Sequence, residues 1–495
     1  MKSFFRRMIC SMFCILMILL SITANFVSAG TSVNVTPDGF VYEIADGEVT
    51  ITGYTGTSTE VTFPEEVDGY PVTKLAEEVI SWNEEICKIV IPDTVKTIEQ
   101  KSFYCSFFVE DVYIGSGVES IGEDAFYGCE VKAYTVSEDN QFFSSIDGIL
   151  CNKAQDTIIK YPIAKEETVV VIPDGIKAIP DEFLIYNNRV TKVVVPDSVT
   201  SIGRDAFVNC ENLKEINFPE GLTCIGNTAF YGCKKLSKID IPSTVTSIGE
   251  RAFANCVLIE AVTLPVGLKK IEKGTFYACH KLVDVKIPYG VEVIGENAFR
   301  KCIELKEIII PNSVTEIEKR AFYDCEKLEN VSLSRNLTSL SEELFYSCKL
   351  REVYVPDSVT EICRGAFWAC YSLTDIYIPP TVKELGSVPL PLSASHVVRV
   401  YGFEGTVAEA YVYDNMYYSA FVSLGDVSEY VPLPKLGDVN MDSVVNIKDS
   451  TAIQKALADL IVLDEISLYS ADYDGDTYIN IKDATLIQKK LAGII

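Results

Sequence analysis

The chain has 495 residues, enough for about three domains of ordinary size. It carries 43 Lys and Arg against 70 Asp and Glu, which gives a formal net charge of −27. This acidic balance argues against binding to nucleic acid or to an anionic membrane, because both require basic patches. The chain has only two histidines, which argues against a His-based catalytic triad or a multi-histidine metal site.

The first 29 residues have the pattern of an export signal. Basic residues at positions 2, 6 and 7 precede an apolar run over residues 8–22, and small residues up to Ala29 fit a cleavage site. The alternative is a membrane anchor, but the run is short for a bilayer span and no basic stop-transfer cluster follows it. We therefore expect cleavage after Ala29 and a secreted, extracellular protein with no membrane span.

From residue 85 to residue 386 the chain repeats with a period of 23 residues. The copies follow the pattern L-x-x-[IV]-x-[IL]-P, then [VL]-x-x-I, then A-F-x-x-C, as in the copy from Leu282 to Cys302. A short alternating apolar run that ends at proline predicts a strand. A fixed period of this length predicts a solenoid, because a single repeat cannot bury its own apolar face and must stack on its neighbours.

Cysteine recurs once per repeat, and the cysteines from Cys210 to Cys348 are spaced by 23 residues. An exported protein with many cysteines suggests disulfide bonds. Side chains that point in parallel from stacked repeats do not satisfy disulfide geometry, however, so we predict a buried column of free thiols. Disulfide formation remains an alternative only for the cysteines outside this register, which are Cys87, Cys151, Cys224 and Cys363.

The repeat resembles the BspA/Treponema-type leucine-rich repeats of bacteria. The resemblance implies a leucine-rich-repeat solenoid with a parallel β-sheet on one face. It also implies a strand-rich N-terminal cap over residues 30–84 and a C-terminal cap over residues 387–425. Residues 131–168 interrupt the period, and we expect an extra hairpin there.

Residues between the buried positions of each strand should point outward. One outward column includes Tyr354 and Tyr377, and its members vary from repeat to repeat. Two interpretations stay open. The face is either a recognition surface with these tyrosines as anchors, or a solvated surface whose residue identities matter little.

Two similar loop-helix segments follow a linker at residues 426–436. Oxygen-bearing side chains occupy positions 1, 3, 5, 9 and 12 of each loop. This is the spacing by which an EF-hand-type loop binds Ca²⁺, with the carbonyl of the seventh residue as a further ligand. The second loop has four carboxylates against three in the first, so we expect it to bind calcium more tightly. The sixth position, often glycine, is Ser443 or Thr477, which puts the affinity in doubt.

These segments, residues 437–495, resemble a type I dockerin, a small all-α calcium-binding domain. The resemblance implies binding to a cohesin module of a scaffoldin, and thereby incorporation into a cell-surface cellulosome that degrades polysaccharide. It also implies two Ca²⁺ ions. The first would be held by Asp438, Asn440, Asp442, the carbonyl of Val444, Asn446 and Asp449, and the second by Asp472, Asp474, Asp476, the carbonyl of Tyr478, Asn480 and Asp483.

Dockerins of this family contact their cohesin partner through the tenth and eleventh loop positions. In this chain these positions are Ile447, Lys448, Ile481 and Lys482. The identical pairs would allow two binding orientations related by a half-turn. The two isoleucines are equally well explained as helix-face core, whereas the lysines are better explained as exposed contacts.

We find no nucleophile elbow, HExxH zinc motif or P-loop in the sequence. The features together favour an exported, non-catalytic protein in which the dockerin provides attachment and the repeats bind a protein or a glycan. The alternatives are a surface adhesin, or a cellulosomal enzyme of polysaccharide breakdown whose active site lies in the insertion or the C-terminal cap.

Overall fold

The computed structural model describes residues 34–391, 397–415, 418–430, 439, 445–458, 471–476 and 478–492. The export signal predicted at residues 1–29 lies outside this range. The chain divides into two compact units. One comprises residues 1–130 and 137–142, and the other comprises residues 131–136 and 143–495.

The first unit begins with an antiparallel hairpin and continues as parallel strands. Asp46 and Gly47 both have positive φ (53° and 79°) between β2 and β3, as a tight type I′ hairpin turn requires. Its strands are β1 (Asn34–Val35), β2 (Phe40–Ala45), β3 (Glu48–Tyr54), β4 (Glu60–Thr62), β5 (Glu66–Val67), β6 (Tyr70–Leu75), β7 (Lys88–Ile91), β8 (Thr97–Ile98), β9 (Asp111–Ile114) and β10 (Ser120–Ile121). Strands β3, β6, β8 and β10 pair in parallel, and so do β4, β7 and β9.

The second unit contains the remaining described strands and helices. Its strands are β11 (Ala133–Val136), β12 (Phe143–Ile146), β13 (Ile149–Asn152), β14 (Ile158–Lys160), β15 (Val169–Val171), β16 (Ala178–Ile179), β17 (Lys192–Val194), β18 (Ser201–Ile202), β19 (Glu215–Ile216), β20 (Cys224–Ile225), β21 (Ser247–Ile248), β22 (Ala261–Thr263), β23 (Lys270–Ile271), β24 (Asp284–Lys286), β25 (Val293–Ile294), β26 (Glu307–Ile309), β27 (Glu316–Ile317), β28 (Asn330–Ser332), β29 (Ser339–Leu340), β30 (Glu352–Tyr354), β31 (Glu361–Ile362), β32 (Asp375–Tyr377), β33 (Glu384–Leu385), β34 (Val398–Glu404) and β35 (Ser419–Asp426). Its helices are α1 (Val407–Asp414), α2 (Ile447–Leu457), α3 (Ile481–Leu491) and a short 3₁₀ helix (Val427–Glu429).

The first strands of neighbouring repeats pair in parallel in several groups, as the sequence predicts for a leucine-rich-repeat solenoid. The groups in this unit include β15 with β17 and β19, β22 with β24, β26 with β28, and β30 with β32. A second series of two-residue strands, made by the V-x-x-I segments, also pairs in parallel, for example β16, β18, β20 and β21. The repeat pattern does not predict this second series. Each segment is too short to show a strand period, and its pairing depends on the stacking of whole repeats.

The core of the repeats is a stack of phenylalanine rings. Neighbouring rings lie 5.1–5.8 Å apart and within 13° of parallel. All are fully buried, because the A-F turn places each ring against the same ring of the next repeat. The stack consists of Phe207, Phe230, Phe253, Phe276, Phe299, Phe322, Phe345 and Phe367.

The repeated cysteines are buried free thiols, and the out-of-register Cys87, Cys151, Cys224 and Cys363 are free as well. Each repeated thiol donates to a main-chain carbonyl of a neighbouring repeat, as Cys256 Sγ does to Phe230 O at 3.1 Å. Burial raises the pKa of Cys210 and Cys279 to about 12. The column therefore acts as small hydrophobic packing that also satisfies buried carbonyls.

The interruption of the repeat is a three-stranded antiparallel sheet of β12, β13 and β14. Its first turn places Asp147 and Gly148 at positive φ (51° and 77°), which again makes a tight hairpin. At the other end, β34, α1 and β35 form a β-α-β unit whose first strand pairs with β32 of the last repeat. This unit covers the final strand of the repeat sheet.

Candidate functional site

The second loop of the C-terminal region brings three carboxylates together. Asp472, Asp474 and Asp476 each place a carboxylate oxygen within 4.8 Å of the others. Asp472 and Asp474 are buried and Asp476 is half-buried. Carboxylates so close repel one another, so this arrangement calls for a cation, and an all-oxygen donor set suits a hard ion such as Ca²⁺.

The loop is held open by its own hydrogen bonds. Asp472 Oδ1 accepts from Gly475 N at 3.0 Å, Asp474 Oδ1 from Asp476 N at 3.1 Å, and Asp476 Oδ1 from Tyr478 N at 2.9 Å. Each carboxylate thus uses one oxygen to stabilise the turn. Gly475, at the fourth loop position, has φ 79° and makes the sharp bend. Thr477, at the sixth position, lies outside the described residues.

Asn480 and Asp483 also anchor the helix that follows. Asn480 Oδ1 accepts from Lys482 N, and Asp483 Oδ2 accepts from Asn480 N at 2.9 Å, which together form a capping box at the start of α3. Asp483 Oδ1 accepts from Tyr473 N at 2.7 Å, which ties the start of the loop to the helix. Burial raises the pKa of Asp483 to about 6. A carboxylate has about four lone-pair sites, so these bonds leave acceptor capacity on Asp483 for an ion.

A lysine from the helix approaches the carboxylates. The Lys482 ammonium contacts Asp474 and lies 3.7 Å from Asp476 Oδ2. Partial burial works to lower the pKa of Lys482, but the contacts with Asp474 and Asp476 outweigh it and the pKa is raised. Asp474 Oδ2 is buried and receives no hydrogen bond of regular geometry. Lys482 therefore offers positive charge where an ion would supply it.

The first loop repeats this anchoring where the structure describes it. Asp449 Oδ2 accepts from Asn446 N at 2.7 Å, and Asp449 Oδ1 accepts from Val439 N at 2.9 Å. The same capping box starts α2. The other predicted ligands of this loop, Asp438, Asn440, Asp442 and Val444, lie outside the described residues.

The predicted recognition residues lie at the surface. Ile447 and Ile481 are 57% and 59% exposed, and Lys448 and Lys482 are also exposed. The helix-face core is made by other residues, with Ile453 of α2 and Ile487 of α3 fully buried. Neither Ile447 nor Ile481 belongs to this core.

On the repeats, the outward column with Tyr354 and Tyr377 continues to a third tyrosine, Tyr401. Tyr354, Tyr377 and Tyr401 stack at 4.3 and 4.4 Å, with rings within 12° of parallel. Tyr401 belongs to β34, outside the 23-residue period, so the repeat pattern could not place it in the column. Beside it, Arg399 makes a two-pronged contact with Asp375 at 2.6 and 2.7 Å. A cavity of about 410 Å³ lies next to Tyr354 and Tyr377.

The comparisons with known families agree with this architecture. Residues 54–146, 177–306 and 292–390 match the BspA type leucine rich repeat region, in six copies. The chain belongs to this family. Residues 436–492 match the type I dockerin domain, so both loops lie in a dockerin. Type I dockerins in general bind calcium and have cohesin modules as partners. Among the described residues, no helix has the length and apolar character needed to cross a bilayer.

Solved structures of bacterial leucine-rich-repeat proteins resemble this BspA-type chain. A leucine-rich repeat protein from Bacteroides ovatus is 22% identical, covers 81% of this chain and 100% of its own, and has a TM-score of 0.58, which supports the shared fold. A leucine rich cell surface protein from Faecalibacterium prausnitzii is 24% identical (73% and 96% covered, TM-score 0.38). A leucine-rich repeat protein from Eubacterium ventriosum is 20% identical (66% and 97% covered, TM-score 0.43). The comparison with curated proteins gave no match.

Proposed function

We propose that this is an exported, non-catalytic protein whose dockerin attaches it, through calcium-dependent cohesin binding, to a cellulosomal scaffoldin, while its repeats bind a separate ligand. The observation that carries the proposal is the duplicated recognition pair. Ile447-Lys448 and Ile481-Lys482 are each exposed in the first turn of a capped helix behind an acidic loop. An exposed isoleucine beside a lysine is a suitable contact for a partner protein, because it offers apolar area with a charged rim.

Each loop would hold one Ca²⁺ ion. In the second loop, Asp472, Asp474 and Asp476 would supply carboxylate oxygens, and Asn480, Asp483 and the carbonyl of Tyr478 would complete the set. The first loop would use the corresponding residues from Asp438 to Asp449. A bound ion would neutralise the carboxylate repulsion and fix the loop against its helix, which supports both recognition pairs.

The repeats would bind their ligand at the tyrosine column. The faces of the Tyr377 ring are covered by Tyr354 and Tyr401, so at the centre of the column only the ring edges are open. Stacking of a sugar requires an open ring face, which leaves only the outer faces of the end rings for a glycan, whereas a protein can use the ring edges and the nearby Arg399–Asp375 pair. We therefore favour a protein ligand over a glycan.

Calorimetric titration of the full mature chain with a panel of cohesins tests the attachment. We expect tight binding in calcium that is lost when a chelator is added. Failure to bind any cohesin while calcium is bound would contradict the proposal and favour the adhesin alternative. Release of soluble sugar from a polysaccharide by the purified chain would instead favour the enzyme.

Two substitutions test the duplicated pair. Because each pair alone should support one binding orientation, Ile447→Asp and Ile481→Asp singly should change cohesin affinity by less than about threefold, a difference under roughly 1 kcal/mol. The double substitution should abolish binding. Val266→Asp, at a 71% exposed position on the repeats, is the matched control and should leave affinity unchanged. Retention of binding by the double variant would place the cohesin contact elsewhere.

A further inference from the structure

The residue that follows the strand-ending proline of each repeat changes its chemistry over three consecutive repeats. We call these residues the post-proline column. Most members are acidic, small or aliphatic, but Tyr289, Asn312 and Arg335 are consecutive, and Arg335 follows Ser334 in place of proline. From residue 174 onward the column comprises Asp174, Asp197, Glu220, Ser243, Val266, Tyr289, Asn312, Arg335, Asp357 and Pro380.

Asn312 binds the main chain of the second calcium loop. Its main-chain nitrogen donates to Asp474 O at 3.1 Å. Its side-chain Nδ2 donates to Asp472 O at 3.4 Å and to Tyr473 O at 3.3 Å. Its Oδ1 accepts from Arg335 N at 2.9 Å, which fixes the orientation of the amide group. Asn312 is only 2% exposed, whereas Val266 of the same column is 71% exposed.

The flanking members of the column complete the contact. The Arg335 guanidinium lies 3.8 Å from Asp472 Oδ2, where its charge offsets part of the negative charge of the loop. Tyr289 packs against the dockerin core, with its ring 6.3 Å from that of Tyr473. A Cβ added to Gly475 would meet Asn312 Nδ2 at 3.0 Å, so the loop glycine also permits this close approach.

The hydrogen bonds of Asn312 are made to the main chain of the loop and not to its carboxylates. Asn312 donates to three main-chain carbonyl oxygens, and none of these oxygens is a predicted calcium ligand. The carboxylates of Asp472, Asp474 and Asp476 still converge within 4.8 Å. The docked loop therefore already has the shape that an ion needs, so docking and calcium binding favour the same conformation.

We propose that Tyr289, Asn312 and Arg335 form a docking seat for the dockerin, and that calcium in the second loop and docking on the repeats stabilise each other. If docking increases the calcium affinity of the second loop, then by thermodynamic linkage calcium increases the stability of the docked state by the same factor. Both recognition pairs stay exposed in the docked arrangement, since Ile447 and Ile481 are more than half exposed. A cohesin can therefore bind the docked protein, which would present the repeats in a fixed orientation.

The test uses the full chain and amide hydrogen exchange, with calcium and then with chelator. In calcium, the Asn312 amide should exchange at least tenfold more slowly than the amide of Ser243, an exposed residue at the equivalent position. Chelator should remove most of that difference. The amide of Phe276, which donates to Ala298 O within the repeats, should keep its protection and report that the solenoid is folded.

The variant carries Tyr289→Ser, Asn312→Ser and Arg335→Lys. Serine is the residue that the chain itself has at position 243, and lysine keeps the positive charge beside Asp472, so that a change in calcium affinity reports on docking. We expect the protection at position 312 to disappear in calcium and the calcium affinity of one loop to fall several-fold, while the other loop is unchanged. Ser243→Ala is the control and should alter neither. Fast exchange at Asn312 in calcium would overturn the docking, and unchanged calcium affinity in the triple variant would overturn the coupling.

Cohesin titration separates this inference from the proposed function. The triple variant should still bind cohesin, because the substitutions lie on the repeats and leave both recognition pairs in place. Loss of cohesin binding in this variant would mean that recognition itself needs the seat residues, and would contradict their assignment to docking alone. Absence of cohesin binding by the unmodified chain, with normal protection at Asn312, would contradict only the proposed function.

Discussion

Single residues in the turns of the repeats adopt left-handed backbone angles that do not suit their side chains. Lys301 has φ 63°, whereas Gly232 occupies the equivalent position of an earlier repeat. The left-handed conformation costs a non-glycine residue about 1–2 kcal/mol, part of which glycine regains. We therefore predict that Lys301→Gly increases the free energy of unfolding by about 0.5–1 kcal/mol, measured by urea denaturation.

The control for this substitution is Lys306→Gly. Lys306 is an exposed lysine of the next repeat whose backbone is not left-handed. There glycine relieves no strain and only adds freedom to the unfolded chain, so stability should fall by about 0.5–1 kcal/mol. Equal destabilisation by both substitutions would show that the turn at Lys301 carries no strain.

Thiol reactivity should follow burial. The pKa of Cys210 is raised to about 12, so at pH 8 its thiolate is roughly a thousandfold rarer than that of an ordinary cysteine. Cys224, in the same unit, is partly exposed. We predict that iodoacetamide labels Cys224 while Cys210 stays unlabelled in the native chain, as read by peptide mass spectrometry. Full labelling of both in urea is the control, and prompt native labelling of Cys210 would contradict the buried column.

At the scale of elements, the phenylalanine stack is the main packing unit of the repeats. Phe276 lies 5.8 and 5.6 Å from its two neighbours in the stack and is fully buried. Removal of the ring leaves a cavity that rigid neighbouring repeats cannot fill, so Phe276→Ala should cost about 3–5 kcal/mol in unfolding experiments. Because each repeat contacts only its neighbours, unfolding should also separate into two transitions.

The control for the stack is Tyr371→Ala, at a 59% exposed ring. It should change stability by no more than about 0.5 kcal/mol and leave the transition unchanged in shape. If Phe276→Ala behaved like this control, the rings would not be the main packing unit.

The elements also show which features a sequence can predict. Some features recur at a fixed spacing: the first strands, the phenylalanine and cysteine positions, and the acidic loops. Because each pattern occurs several times in one chain, these features can be predicted from the sequence. The second strand series escaped prediction because a two-residue segment has no period of its own. Tyr401 and the seat at Asn312 depend on which segments meet after folding, at sequence separations of 24 and about 160 residues.

At the scale of the molecule, a solenoid must protect its open ends. Strand β34 pairs with β32, and the fully buried Val400 belongs to the core of the repeats. Without this unit, the β32 edge and the apolar side of the last repeat would face water, and an exposed strand edge is a template for association. We predict that a chain truncated after Pro391 forms oligomers or aggregates, whereas one truncated after Tyr430 stays monomeric, as measured by light scattering.

Both truncated chains lack the dockerin, so a difference between them reports on the cap alone. The strong negative charge of the protein opposes association, and added salt screens that repulsion at a Debye length of about 10 Å in 0.1 M salt. Association of the shorter chain should therefore increase with salt, because the attraction between exposed apolar edges persists while the repulsion weakens. A shorter chain that stays monomeric at high salt would show that the last repeat closes its own end and that β34, α1 and β35 serve another purpose.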